Sequence, residues 1–312
     1  MQARKNLVNI LVAAAIVLSL ALIYNGVSRY SLTDIMQSLG SIPVRHLLLS
    51  IAFTSASYIA LTGFDVLGLI YAGKPLPYGK TALTSFVSLS IGHNVGLAAL
   101  SSGAIRYRFY SRWGLGVEDV AKVVLFSGIT VGIGLLSLCS WAMLFRSDSA
   151  ARIIGLSPYQ VWLSGLAAML ALGVYLVLCW RLRLPLRVRK WTFKLPSLRL
   201  ATGQLVVGTL NFALIAASLQ QLLLAYQKVS YWDVATAYSI ANGAVIASHV
   251  PGGLGVLEAS TQFLLPQAAT IGAVIAFRCV YFFLPLPLGM VLFALSEREF
   301  RRSSGTARSF AG

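Results

Sequence analysis

Apolar residues run along this chain in long blocks instead of alternating with polar ones. The blocks lie near residues 7–24, 47–71, 81–100, 120–145, 161–180, 203–225, 234–250 and 268–295. Each approaches or exceeds the roughly 20 apolar residues that carry a helix across a hydrocarbon core. Short polar connections separate them, and no polar block is large enough for a soluble domain. The pattern predicts an all-α polytopic membrane protein, one membrane domain over residues 1–312. The first block, Leu7 to Tyr24, follows Arg4 and Lys5 like a signal peptide. Its length and the lack of a small-residue cleavage site make it a retained helix.

The cations decide how many blocks cross. If all eight did, the connection Arg106 to Arg112 would face the opposite side from the one holding Lys74 and Lys80, against the positive-inside rule. Suppose instead that the third block enters from the cytoplasm, turns at Ser101 to Gly103 and returns, and that the seventh turns at Pro251 to Gly253. Every basic connection is then cytoplasmic, including Arg181 to Arg199, which has seven cations and no acid. This scheme has six full spans and two re-entrant helical hairpins, with both termini inside. It is an inverted-topology repeat of residues 1–150 and 151–300, followed by a short basic tail at 301–312. A faint echo, "SIGHN" at Ser90 to Asn94 against "SIAN" at Ser239 to Asn242, accompanies it. Eight ordinary crossings with a weak charge bias are the alternative.

Composition agrees with a membrane setting. Hydrophobic residues make up 57% of the chain and charged ones 11%, and nine acids among 312 residues cannot clothe a soluble globule. The net charge of +16 sits in connections between spans and not on a folded basic face, so nucleic acid is not the expected partner. Cys139, Cys179 and Cys279 stand singly in apolar blocks, without the spacing of a zinc site or redox dithiol. No metal and no cofactor is expected.

The chemistry is concentrated where apolar blocks are interrupted. In "SHVPGGLGVLEA", Ser248 to Ala259, Pro251 ends a helix, and Gly252, Gly253 and Gly255 permit a tight reversal. Irregular backbone at membrane depth survives only when buried in protein or lining a wet cavity. Glu258 follows about one turn later, and an intramembrane carboxylate costs roughly 3 kcal/mol on insertion scales, so it needs a partner. Arg106 lies just past the other tip. We expect Arg106 and Glu258 to line one central polar cavity, with Asp65 and Arg278 as further intramembrane charges. Ion pairs that only fix helix packing are the plainer reading. Asn94 and Asn242 are candidates for bonding freed backbone at the hairpins, or for ordinary interhelical bonds. His93 and His249 stand near the turns without metal-ligand spacing. Arg108 and Arg112, flanked by Tyr107, Tyr110 and Trp113, suit a headgroup interface. "GITVG" at Gly128 to Gly132, and the small residues Ser85, Ser88, Gly92, Gly96 and Ala99, predict close helix contacts.

"TGFDVL", "GAIRYRFYSRWGL", "HVPGGLGVLEA" and "AFRCVYFFLPL", in this order, resemble the lysylphosphatidylglycerol synthase transmembrane-region family. Its members include the flippase part of MprF-type proteins and stand-alone inner-membrane proteins of the YbhN type. The likeness spans essentially the whole chain. It implies a link to phospholipid translocation, with the family's motif positions falling on Asp65, Arg106, Arg108, Gly252, Gly253, Gly255, Glu258 and Arg278. Lysyl-transferring members carry a further soluble domain, which this sequence lacks, so no enzyme activity is expected. By length it resembles the stand-alone kind.

The expected function is therefore that of a bacterial inner-membrane flippase for a phospholipid with an anionic or aminoacylated head group. A non-transporting partner of a lipid-modifying enzyme, or the membrane part of aminoacyl-phospholipid synthesis, is the alternative. The expected partners are membrane phospholipid, with a second copy of the chain or a lipid-modifying enzyme as further candidates.

Overall fold

A computed structural model describes residues 33, 36, 39–95, 98–182, 185–188, 191–248, 255–265 and 271–309. The predicted first span and the "PGG" turn, Pro251, Gly252 and Gly253, lie outside the described residues, as does His249.

Helices dominate what is described, running in order as α1 (Val44–Tyr71), α2 (Tyr78–Val95), α3 (Ala98–Tyr110), α4 (Val117–Phe145), α5 (Ser147–Ile154) and α6 (Pro158–Arg181). After a basic connection come α7 (Leu198–Leu224), α8 (Tyr231–Ser248), α9 (Val256–Leu264), α10 (Ile271–Arg278), a π-helical segment (Cys279–Phe283) and α11 (Pro285–Ser309). Among the described residues, five stretches are long and apolar enough to cross a membrane: α1, α4, α6, α7, and Gly272–Phe300, which joins α10 to most of α11. The chain is thus an integral membrane protein with several membrane-capable helices.

The basic connection departs from the all-α expectation. Pro185–Val188 (β1) and Trp191–Lys194 (β2) pair as an antiparallel ribbon. The signal was present in the sequence: the β-formers Val188, Trp191, Thr192 and Phe193 stand among the cations of this connection.

The centre is built on α1 and α7, which lie antiparallel along a polar seam. Ser50 Oγ is 2.8 Å and Thr54 Oγ1 3.0 Å from Ser218 Oγ. One turn on, Ser57 donates to Asn211 Oδ1 at 2.7 Å. These side chains are buried. In a low-dielectric setting such bonds join helices that hydrophobicity alone cannot hold together.

Around this pair the neighbours repeat. In the first half α1 touches α2 and α4, and α3 lies on α2 and α4; in the second, α7 touches α8 and α10, and α9 lies on α8 and α10. Across the halves, α8 rests on α4 as α11 rests on α2, and α4 rests on α7 as the π segment rests on α1.

The connections between helices sort to two ends. At one, Lys80 Nζ sits 5.2 Å above the Trp113 ring, the Arg112 guanidinium 4.2 Å above Phe300, and Tyr71 donates to the Lys194 carbonyl at 2.7 Å. At the other, Ser41 Oγ meets Tyr226 OH at 2.7 Å, and the Phe145 ring lies tilted against Trp232, 5.0 Å between centroids. Since Lys80 begins α2 and Trp113 follows α3, the α2–α3 pair leaves one end and returns to it. Its far end lies against the middle of α1, with the His93 ring 6.4 Å from that of Tyr58.

The expected turn at Ser101 to Gly103 is corrected: all three residues are inside α3. Residues 96–97, between α2 and α3, lie outside the described residues. The small side chains serve close approach instead. Ser101 donates to the Gly92 carbonyl at 3.4 Å, and a Cβ on Gly92 would meet Ser102 at 2.9 Å. "GITVG" is likewise no contact motif, for Gly128 and Gly132 have open space beside them.

Candidate functional site

Asp65 sits on the buried stripe of α1 formed with Tyr58, Leu61, Thr62 and Leu69, the three-and-four spacing of one helix face. It is wholly buried, and Arg106 of α3, 3% exposed, reaches it through two parallel bonds: Nε to Oδ1 at 2.7 Å and Nη2 to Oδ2 at 2.9 Å. This fork-to-fork geometry is the strongest form of the interaction. It ties the returning arm of the first hairpin to the central helix.

Glu258 is the third residue of α9. Its Oε2 accepts from the Gly255 amide at 2.9 Å, closing the helix N-terminus, and from Arg278 Nη2 at 2.8 Å. Arg278 Nε also bonds Oε1. The arginine is 2% exposed and the glutamate 17%. Gly255 has φ +81°, a conformation that favours glycine over any residue with a Cβ. The pair ties α9 to α10.

The intramembrane charges therefore resolve into two separate pairs. Arg106 binds Asp65 and Glu258 binds Arg278, each partner in its own half of the chain. Sequence alone could not choose, because all four residues occur in apolar surroundings and pairing depends on which helices touch.

Arg108 and Arg112 are one turn apart on α3 and on the 3-10 turn that follows, and both converge on Glu297 of α11. Arg108 makes a two-bond pair at 2.8 and 2.7 Å, and Arg112 Nη2 lies 2.9 Å from the same carboxylate. Side-chain exposures of 19%, 26% and 13% place this group nearer the surface than the inner pairs. Glu297 was missed from sequence. The one available signal was its place among arginines at the end of an apolar block.

Between these clusters lies the π-helical segment. Pro285 has no amide to offer the Tyr281 carbonyl, and Leu284 bonds back to Cys279 at 2.8 Å in the wider register. Carbonyls of this segment accept from the first half of the chain. Tyr58 OH donates to Tyr281 O at 3.2 Å, and Asn94 Nδ2 to Phe282 O at 3.1 Å. Asn94 thus makes an interhelical bond to the last span. Asn242 bonds Tyr238 OH at 2.9 Å. Around them Tyr58, His93, Phe277, Tyr281 and Phe282 form a connected aromatic group. Among the described residues, no cluster of acids, histidines and cysteines could hold a metal ion.

No protein-family model matches the chain. The uncharacterized protein slr0712 of Synechocystis is 31% identical over 304 residues, covering 94% of each chain. The inner membrane protein YbhN of Escherichia coli is 26% identical over 269 residues, covering 82% of this chain and 81% of YbhN. Near-complete coverage of both chains, joined to a helical fold built for the bilayer, means that this chain belongs to the membrane-protein family of slr0712, to which YbhN is also related.

Proposed function

We propose that this chain is a phospholipid translocase of the lysylphosphatidylglycerol synthase transmembrane-region type, with the two hairpins re-entrant and the halves related as an inverted repeat. The basic connections lie on the cytoplasmic side, and both termini face the cytoplasm. An anionic or aminoacylated head group crosses along the joints of the hairpins while its acyl tails stay in the bilayer.

The observation that carries this reading is the placement of buried charge. Asp65–Arg106 and Glu258–Arg278 each fasten the returning arm of a hairpin to a membrane-capable helix. Charge in such surroundings is costly and concentrates on pathways for polar cargo. The matching neighbour patterns of the two halves support a repeat, and repeats with broken helices recur in transporters. The clustering of Lys80, Arg112 and Trp113 at one end supports a first hairpin that dips in and returns. In mechanism, a phosphate competes for Arg106 or Arg278 as the hairpin arm shifts, and the carboxylate re-pairs once the lipid has passed.

The test is movement of fluorescent phospholipid between leaflets of proteoliposomes. Wild type should accelerate exchange, and Glu258→Gln and Arg106→Ala should slow it by about tenfold or more, the scale of losing one charge-assisted contact. Equal rates for all three proteins would sink the mechanism.

A further inference from the structure

We propose that Arg108, Arg112 and Glu297 form a binding site for the phosphate of an anionic phospholipid, with Glu297 holding the arginines until the head group displaces it. The inference deepens the translocase reading by naming the point of entry, but it is a claim about binding and stands even if no lipid moves.

Charge balance is the first argument. In the ion pairs of the described residues two guanidinium groups meet the single Glu297 carboxylate, which leaves this trio one positive charge in excess. Lys80, held over the Trp113 ring, adds another beside it. The inner pairs, by contrast, are balanced one to one. An ion group meant only to bind helices has no need of surplus charge near the bilayer, whereas a seat for an incoming anion does.

Geometry is the second. Arg108 already presents its fork to a planar anion through two bonds, and phosphate oxygens fit the same fork. Arg112 reaches the same carboxylate from one turn further on, so an anion replacing it would be gripped from two sides.

Location is the third. Phe109, Trp113, Phe293 and Phe300 form one connected aromatic group, and Arg112 rests on the Phe300 ring. An aromatic and cationic rim of this kind sits at headgroup level. The arginines are on α3 and its following turn, while Glu297 belongs to α11, so displacing Glu297 releases the ion-pair link between α3 and α11. The Phe109 ring, against Phe293 and Phe300, and the direct packing of α2 on α11 remain to hold the last helix in place.

The full chain in nanodiscs, titrated with phosphatidylglycerol or phosphatidylcholine and read by native mass spectrometry, tests the site. Wild type should retain phosphatidylglycerol over phosphatidylcholine by about tenfold, equivalent to about 1.4 kcal/mol. Glu297→Gln, which removes the competing charge, should raise that preference several-fold. Arg112→Gln keeps the two-bond Arg108–Glu297 pair and so the fold, and should lower it several-fold. An unchanged or reduced preference in Glu297→Gln, or an unchanged one in Arg112→Gln, overturns the proposal. Inorganic phosphate at millimolar concentration should not displace the lipid; if it does, the site belongs to a soluble anion and the lipid assignment is wrong. Preserved binding shifts with no leaflet exchange in proteoliposomes would reject the translocase reading and leave this site standing.

Discussion

Gly134 of α4 and Gly208 of α7 meet backbone to backbone. A Cβ on Gly134 would collide with the Gly208 carbonyl carbon, and one on Gly208 would lie 2.8 Å from the Thr130 carbonyl oxygen. Beside this contact Gln204 Nε2 donates to Thr130 Oγ1 at 3.0 Å, so close approach and a polar bond act together. Gly208→Ala should push the helices apart and destabilise the protein by about 1–3 kcal/mol, as overpacking does. Thermal unfolding in detergent measures it, and Gly128→Ala, which faces open space, is the control expected to change little.

The Asp65–Arg106 pair predicts a sharper asymmetry. Asp65→Asn leaves a guanidinium buried without its counter-charge and should cost about 3–5 kcal/mol. Replacing both residues together with apolar side chains of similar size should recover most of that loss. Unfolding midpoints of the single and double variants decide it; a double variant as unstable as the single one would mean that the pair is not an isolated unit.

Asn94 tests the π-helical join. Asn94→Leu deprives the Phe282 carbonyl of its donor and should cost about 0.6–1.7 kcal/mol, the range of interhelical bonds in membranes. Hydrogen exchange of the amides near 282–286 should rise in parallel. Unaltered exchange there would show that the bond does not restrain this segment.

Gly255→Ala forces a Cβ into the positive-φ turn that opens α9 and should destabilise by about 1–3 kcal/mol. Because the same turn aims the Gly255 amide at Glu258, the substitution should also slow leaflet exchange in the proteoliposome assay. A variant that loses stability but keeps its rate would separate the turn from the function.

Cysteine labelling checks the two ends of the molecule. Cysteines at Lys80, Trp113 and Lys194 should react with an impermeant reagent from one side, and a cysteine at Ser41 from the other. Labelling of Lys80→Cys and Trp113→Cys from opposite sides would replace the returning hairpin with a plain crossing.

Much of the architecture was legible along the chain. The five described membrane-capable helices coincide with blocks that apolar length alone marks out, because the hydrocarbon core imposes one length on every span. The arginine blocks also led, by the charge rule, to an α2–α3 pair whose ends lie together. The turn within that pair was misplaced. Ser101, Ser102 and Gly103 have the composition of a turn, but small side chains equally suit a helix pressed against two others, and local sequence does not separate these uses. The basic ribbon was passed over because its cations dominated the reading of its β-formers.

The sequence by itself determined which residues carry chemistry: Asp65, Arg106, Glu258 and Arg278 announce themselves because charge in an apolar block is expensive wherever it sits. Only the tertiary structure decided how they combine. Pairing requires two side chains within about 3 Å, a distance set by helices far apart in the chain, and so Arg106 went to Asp65, Arg278 to Glu258, and the unnoticed Glu297 took both outer arginines.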